Sequence, residues 1–225
     1  MVPIRQRLCP PEKYPVKCPY TRQPACIVIH NTANDAPAEN EAGYMLGNSR
    51  EVSFHYAVDE GEAVQCLPLD RNAWASGDGH GAGNMQGIHI EICRSLSGGA
   101  RFARAEENAA WLAAWLLGQY GWGIDRVGKH QDYDGKYCPH RTLDLGWGRF
   151  LQMVQSYRRA EEAPMDYQQF KAYMARYEQE LAQKPASGWA REAWEAACAG
   201  GLLDGTGPRL PLTREQAAAV LGRVL

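Results

Sequence analysis

Three side chains in this 225-residue sequence are of types that together hold a transition metal: His30, and the pair His130 and Cys138 eight residues apart in KHQDYDGKYCPH. Imidazole nitrogen and thiolate sulfur suit zinc, and three protein ligands leave a fourth position for water or substrate, as in a catalytic rather than a structural site. Such a site points to a hydrolase, because zinc polarises a carbonyl and lowers the pKa of bound water toward about 7. Taken singly, each residue also has a plainer reading. A strand-end histidine can be a satisfied polar residue, and a buried cysteine packs as a small hydrophobe.

The elements that must position these residues can be read from pattern. CIVIH (26–30), broken by NTAND, predicts a buried strand with His30 at its end. Between 37 and 48, AENEAGYML predicts a first helix, closed by Gly47 and Asn48. SFHYAVD (53–59) and EAVQCLP (62–68) predict a hairpin turning through Glu60 and Gly61. After the glycine-rich SGDGHGAGN (76–84), the alternating GIHIEIC (87–93) predicts another core strand. AEENAAWLAAWLLGQY (105–120) has the acidic start and broad apolar stripe of a covering helix. A short strand within GWGIDRVGKH reaches His130, and LGWGRFLQMVQSYRR closes the domain with a helix. The class implied is α/β: a mixed β-sheet covered by helices, over residues 1–160.

The composition then shifts. RRAEEAPMD is charged and carries Pro164, which puts a boundary near 160–165. A helical linker over 161–186 carries Tyr167, Phe170, Met174, Tyr177 and Leu181 at spacings of 3 and 4, one apolar face. Residues 187–225 predict a small all-α domain: a helix in WAREAWEAACAG, a turn in LLDGTGPRLP, and a last helix whose Thr213 and Gln216 form a capping box.

Composition excludes several classes. With 24 basic against 26 acidic side chains, well mixed, no basic stripe is available to neutralise phosphates, so no nucleic-acid partner is expected. The N-terminus lacks the apolar core of a secretion signal and no later segment is a membrane span. The expectation is synthesis in the cytoplasm without a signal peptide and action elsewhere after release. Seven cysteines, an odd number with no CxxC pair, argue against a disulfide framework and a zinc ribbon. No GxSxG nucleophile elbow is present.

IHNT, SFHYAVDE, IEIC and KHQDYDGKYCPHR, in that order and spacing, resemble the type 2 family of N-acetylmuramoyl-L-alanine amidases, phage and prophage endolysins included, over roughly residues 25–155. The resemblance implies a peptidoglycan recognition protein-like fold and one zinc ion per catalytic domain, held by His30, His130 and Cys138. It implies bacterial peptidoglycan as substrate, cut at the amide between the lactyl group of N-acetylmuramic acid and the stem peptide's L-alanine. Glu91 matches the family's general base, and Lys136 matches a lysine that steadies the oxyanion. Members that use a tyrosine instead carry it where this chain has Phe54. His55 is expected to support a ligand or fill the core, and His140 to orient the ligand loop, neither of them ligating. Ala75 replaces a common histidine, and His80 and His89 stand where small residues are expected. Trp74 is open between sugar stacking and core filling.

From Trp189 onward the chain resembles a single S-layer homology motif, which implies binding of a secondary cell-wall polymer or self-association. Two other readings stay open: a Cys/His cell-wall peptidase with Cys138 as nucleophile and His130 as base, and a non-catalytic peptidoglycan-binding protein of the same fold.

Overall fold

Six strands of the computed structural model, which describes residues 2–162 and 167–222, form one mixed sheet. They are β1 (Ile4–Gln6), β2 (Cys26–Asn31), β3 (Tyr56–Val58), β4 (Ala63–Gln65), β5 (Gly87–Ile92) and β6 (Val127–Lys129), in the order β1-β4-β3-β5-β2-β6. Only the β3–β4 pair is antiparallel. The expected hairpin is therefore present, but its paired part is shorter than the two apolar runs. The helices of this part are α1 (Tyr14–Lys17), α2 (Ala38–Gly47), α3 (Ala82–Gln86), α4 (Gly99–Tyr120), α5 (Gln131–Asp134), α6 (His140–Leu145) and α7 (Trp147–Glu162).

Alternation along β2 and β5 decides what each face of the sheet does. Ile27, Ile29, Ile88, Ile90 and Ile92 pack in one apolar cluster with Phe102, Ala109, Leu112, Ala113 and Leu116 of α4 and with Phe150 and Val154 of α7. The intervening residues His30, His89 and Glu91 point to the opposite side. Register brings His30 directly beside Glu91. Each buried isoleucine contributes roughly 1.5–3 kcal/mol, while one buried polar group left unpaired costs about 1–3 kcal/mol. Those magnitudes are comparable, so a sheet face lined with imidazoles is tolerable only where the rings hydrogen-bond, as they do here.

The helix expected over 105–120 starts earlier, at Gly99, because Gly98 and Gly99 take positive φ values of 70° and 71° and let the chain turn into it. The N-terminal arm, given no role from sequence, supplies β1 along β4. Its Pro15, Pro19 and Tyr20 also line one side of the cleft at the carboxyl edge of the sheet. Lys17 is fully buried, and its Nζ donates to Asn48 Oδ1 and to the carbonyls of Arg50 and Val52. Ser53 Oγ donates to the Lys17 carbonyl. Cys9 and Cys18 are buried in a second apolar cluster, with Cys66 and Cys93. All seven cysteines are free.

The chain divides into two compact units, Met1–Glu162 and Ala163–Leu225. The sequence boundary of 160–165 falls partly on residues 163–166, outside those described. The second unit contains α8 (Tyr167–Ala182), α9 (Arg191–Ala199) and α10 (Arg214–Leu221), and the expected capping box between Thr213 and Gln216 is present. No described helix is long and apolar enough to cross a membrane. Ending the chain after Glu162 is expected to leave a domain that still melts cooperatively by circular dichroism; a chain that fails to fold would place essential contacts beyond that residue.

Candidate metal centre

Parallel β2, β5 and β6 all present their carboxyl ends at one edge of the sheet, where ligand sites of open α/β sheets form. β2 ends in His30 and Asn31. β6 delivers His130, whose amide donates to the Ile29 carbonyl at 3.2 Å. The single turn of α5 and Gly135, at φ 83°, then reverse the chain so that Cys138 returns beside His130, with the Gln131 amide donating to the Cys138 carbonyl at 2.9 Å. Asn31 anchors the start of α6, its Oδ1 accepting from the amides of Arg141 and Thr142. Ligand atoms of His30, His130 and Cys138 lie within 4.8 Å of one another, and all three residues are buried.

Hydrogen bonding fixes which nitrogens face that centre. His89 Nε2 lies 3.0 Å from the Gly83 carbonyl, which can only accept, so this nitrogen carries the proton. Burial holds the His89 ring neutral, lowering its pKa to about 3, and its Nδ1 is therefore an acceptor. His30 Nε2, 2.9 Å away, donates to it, leaving a bare lone pair on His30 Nδ1. Burial likewise drives His30 well below its ordinary pKa, with His89, His130 and Lys136 adding to the shift. On the other side His130 Nε2 donates to Asp134 Oδ2 at 3.1 Å, which aims His130 Nδ1 inward. The two Nδ1 atoms meet at 3.1 Å. Two lone pairs so close repel unless a cation lies between them, and imidazole, imidazole and thiolate are a donor set that zinc favours. The residues present thus fit that ion.

Asp134 itself is held by the chain around it. Its Oδ1 accepts from the Lys136 amide. Gly77, at φ 67°, is packed so tightly that a β-carbon there would collide with the Asp134 carboxylate. The Cys138 thiol is pushed up to about 11 by burial and by the Glu91 charge, while the Asn31 amide and Lys136 pull the other way. A cysteine protonated to that degree is a poor free nucleophile but becomes a thiolate once a cation displaces its proton.

Glu91 faces the same opening, with Oε2 buried and unpaired. Lys136 is exposed at its rim and its charge reaches Glu91. Both line a cleft of about 710 Å³ together with the three metal-type residues, Trp74, Ala75, His80 and Phe54. Trp74 is pinned by Nε1 donating to the Val16 carbonyl and stands 5.6 Å from the His80 ring, which in turn meets Tyr20 OH at 3.2 Å. His55 is buried outside the metal-type trio, its Nδ1 accepting from the His89 amide. His140 opens α6 and is not among the clustered ligand atoms. The structure thus brings together all five residues singled out from sequence. It adds Asp134 and His89 as their supports, of which Asp134 was signalled only by its spacing of four from His130.

Comparison with known proteins agrees with the motif resemblance. Residues 20–141 match the family model described as N-acetylmuramoyl-L-alanine amidase. The amidase XlyB of Bacillus subtilis strain 168 is 53% identical over 156 residues, 68% of this chain and 49% of that protein. CwlA of the same strain is 50% identical over 153 residues, 68% of this chain and 56% of that protein. The match therefore spans about half the length of these relatives. Among solved structures, PlyL is 54% identical with a TM-score of 0.66, covering 67% of this chain and 96% of PlyL. The PlyG catalytic domain is 52% identical with a TM-score of 0.67, covering 72% of this chain and 98% of that domain.

Glu91 offers a direct check on the electrostatics. Burial, with the Glu41 charge adding and Lys136 opposing, raises its carboxyl from 4.5 to about 8. The metal-free native state therefore keeps a proton that the unfolded chain gives up. This contribution to stability is whole below about pH 4.5 and is lost as pH rises through about 8. Melting temperatures of metal-free protein are expected to fall more between pH 5 and 8 for the native sequence than for Glu91→Gln; parallel slopes would contradict the buried setting of this carboxyl.

Proposed function

The chain belongs to the N-acetylmuramoyl-L-alanine amidase family, and on that premise we propose that it is a zinc-dependent peptidoglycan hydrolase of the endolysin type. It cuts the amide between the lactyl group of N-acetylmuramic acid and the L-alanine of the stem peptide. One observation carries the reading: two inward imidazole Nδ1 atoms 3.1 Å apart sit with the Cys138 thiol in a cleft also lined by Glu91, whose buried Oε2 is unpaired.

His30 Nδ1, His130 Nδ1 and Cys138 Sγ would hold the ion. When bound there, zinc polarises the scissile carbonyl and acidifies water. Glu91 is placed to take a proton from the attacking water. The same carboxyl then returns the proton to the departing alanine nitrogen as the C–N bond breaks. Lys136 supplies positive charge for the oxyanion that develops on the carbonyl oxygen. The products are the free lactyl carboxylate and a peptide with a free alanine amine.

The thiol-peptidase alternative is disfavoured by the Cys138 proton, which burial holds in place, and by the turn of His130 Nδ1 toward His30. For the second unit the proposal is attachment to a secondary cell-wall polymer or pairing with another copy, with the cell wall as the place of action. The exposure of Tyr167, Phe170, Met174 and Tyr177 supports a docking face.

Digestion of purified peptidoglycan is expected to release peptides with new N-terminal alanine, to stop with EDTA and to resume on adding zinc. Cleavage unaffected by EDTA would point back to a thiol enzyme, and no cleavage at all to a binding protein. Glu91→Gln is expected to keep zinc while turnover falls by about 10²–10⁴-fold, and undiminished turnover would remove Glu91 from the proton transfers.

A further inference from the structure

The His30 ring must present Nδ1 to the centre, and something has to hold its other nitrogen. Among the described residues no carboxylate does so. Nε2 instead meets Nδ1 of His89 at 2.9 Å, and His89 Nε2 ends the chain on the Gly83 carbonyl at 3.0 Å. We infer that His89 is a positioning residue for the metal: an imidazole acceptor, anchored on α3, that sets the tautomer and orientation of His30. The inference rests on the zinc reading and deepens it.

The surroundings of His89 are shaped for this task. Its backbone amide donates to His55 Nδ1 at 3.0 Å, and the two rings stack with centroids 5.7 Å apart and 13° between planes. His55 Nδ1 accepts that bond, so its Nε2 carries the proton and donates to the Arg71 carbonyl at 3.0 Å. His89 is therefore clamped at its backbone, its ring face and its far nitrogen. Room for the ring comes from Gly87, two residues earlier on the same face of β5. A β-carbon there would stand 2.6 Å from the Gly83 carbonyl oxygen and from Val28, and 3.1 Å from His89 Nε2. The Gly83 carbonyl also accepts the Gly87 amide at the end of α3. One carbonyl thus fixes both the helix end and the ring that supports the ligand.

Partners of this kind orient ligand imidazoles, and losing one typically weakens metal binding about 10–100-fold. The test uses the full chain and zinc itself, with affinity measured by chelator competition. His89→Phe keeps a ring and removes the acceptor. His89→Asn loses ring volume but restores an acceptor, its side-chain carbonyl, near the position of Nδ1. If His89 acts by accepting, the Phe variant is expected to lose about 10–100-fold in zinc affinity and the Asn variant to regain most of it. Packing alone predicts the reverse, since Asn leaves the larger void. Equal affinity of the Phe variant and the native protein, or failure of Asn to rescue, would overturn the inference.

Nitrogen-15 NMR of the metal-free native chain supplies a readout that needs no variant to fold. The proton is expected on His30 Nε2, and finding it on Nδ1 would overturn the inference equally. Failure of the zinc reading and failure of the His89 role give different results. A native chain that binds no zinc defeats the zinc reading itself, whereas zinc binding with an inert His89 defeats only this step.

Discussion

Two imidazole nitrogens brought to 3.1 Å with their lone pairs facing are the constraint from which the site is organised. Neutral rings in that posture repel, and charging His30 would place a cation where burial resists one. A positive charge shared between them would relieve that repulsion, which is what the proposed metal ion would supply. Each ring must also be prevented from turning its protonated nitrogen inward. Asp134 does this for His130 and His89 does it for His30. Behind Asp134 stands Gly77, whose missing side chain makes room for the carboxylate.

The same logic covers the two acids of the site. Burial holds both the Glu91 carboxyl and the Cys138 thiol in their protonated forms in the protein alone, and an ionised Glu91 raises the Cys138 pKa further. On the proposed zinc reading, a dication among them would reverse that balance for both groups. Lys136 lies at the rim, within electrostatic reach of both.

Much of this is legible in the residues, and the rest is hidden for identifiable reasons. The run CIVIH and the alternation in GIHIEIC reveal β2 and β5, because burial of one face imposes a period of two that survives without any alignment. That alternation already sets His89 on the side of Glu91, away from Ile88 and Ile90. What it lacks is the partner, since contact between His89 and His30 depends on strand register. Asp134 escapes a reading of pattern because a four-residue helix has no periodicity, though its distance of four from His130 is the spacing at which helical side chains meet. The start of α4 is misplaced from sequence because the acidic stretch AEEN resembles a first turn, whereas the turn into the helix is made by paired glycines with no charge signal. β1 pairs over only three residues and owes its position to β4 rather than to its own composition.

One asymmetry of the centre is explained by its charge. His130, beside the partly exposed Asp134, leans on an anion; His30, fully enclosed, leans on a neutral ring. A carboxylate at position 89 would orient His30 equally well and would make it a stronger donor. The cost lies in the total. The proposed dication together with the Lys136 ammonium would match the Cys138 thiolate, the Asp134 carboxylate and an ionised Glu91, which would leave the site near neutrality. A second supporting carboxylate, buried behind His30, would add an uncompensated negative charge where solvent cannot screen it. In the proposed mechanism that excess would also raise the Glu91 pKa further and keep in place a proton that the base must lack. An imidazole satisfies the hydrogen bond without disturbing that balance, which is a physical reason for a histidine, rather than an acid, in the interior of β5.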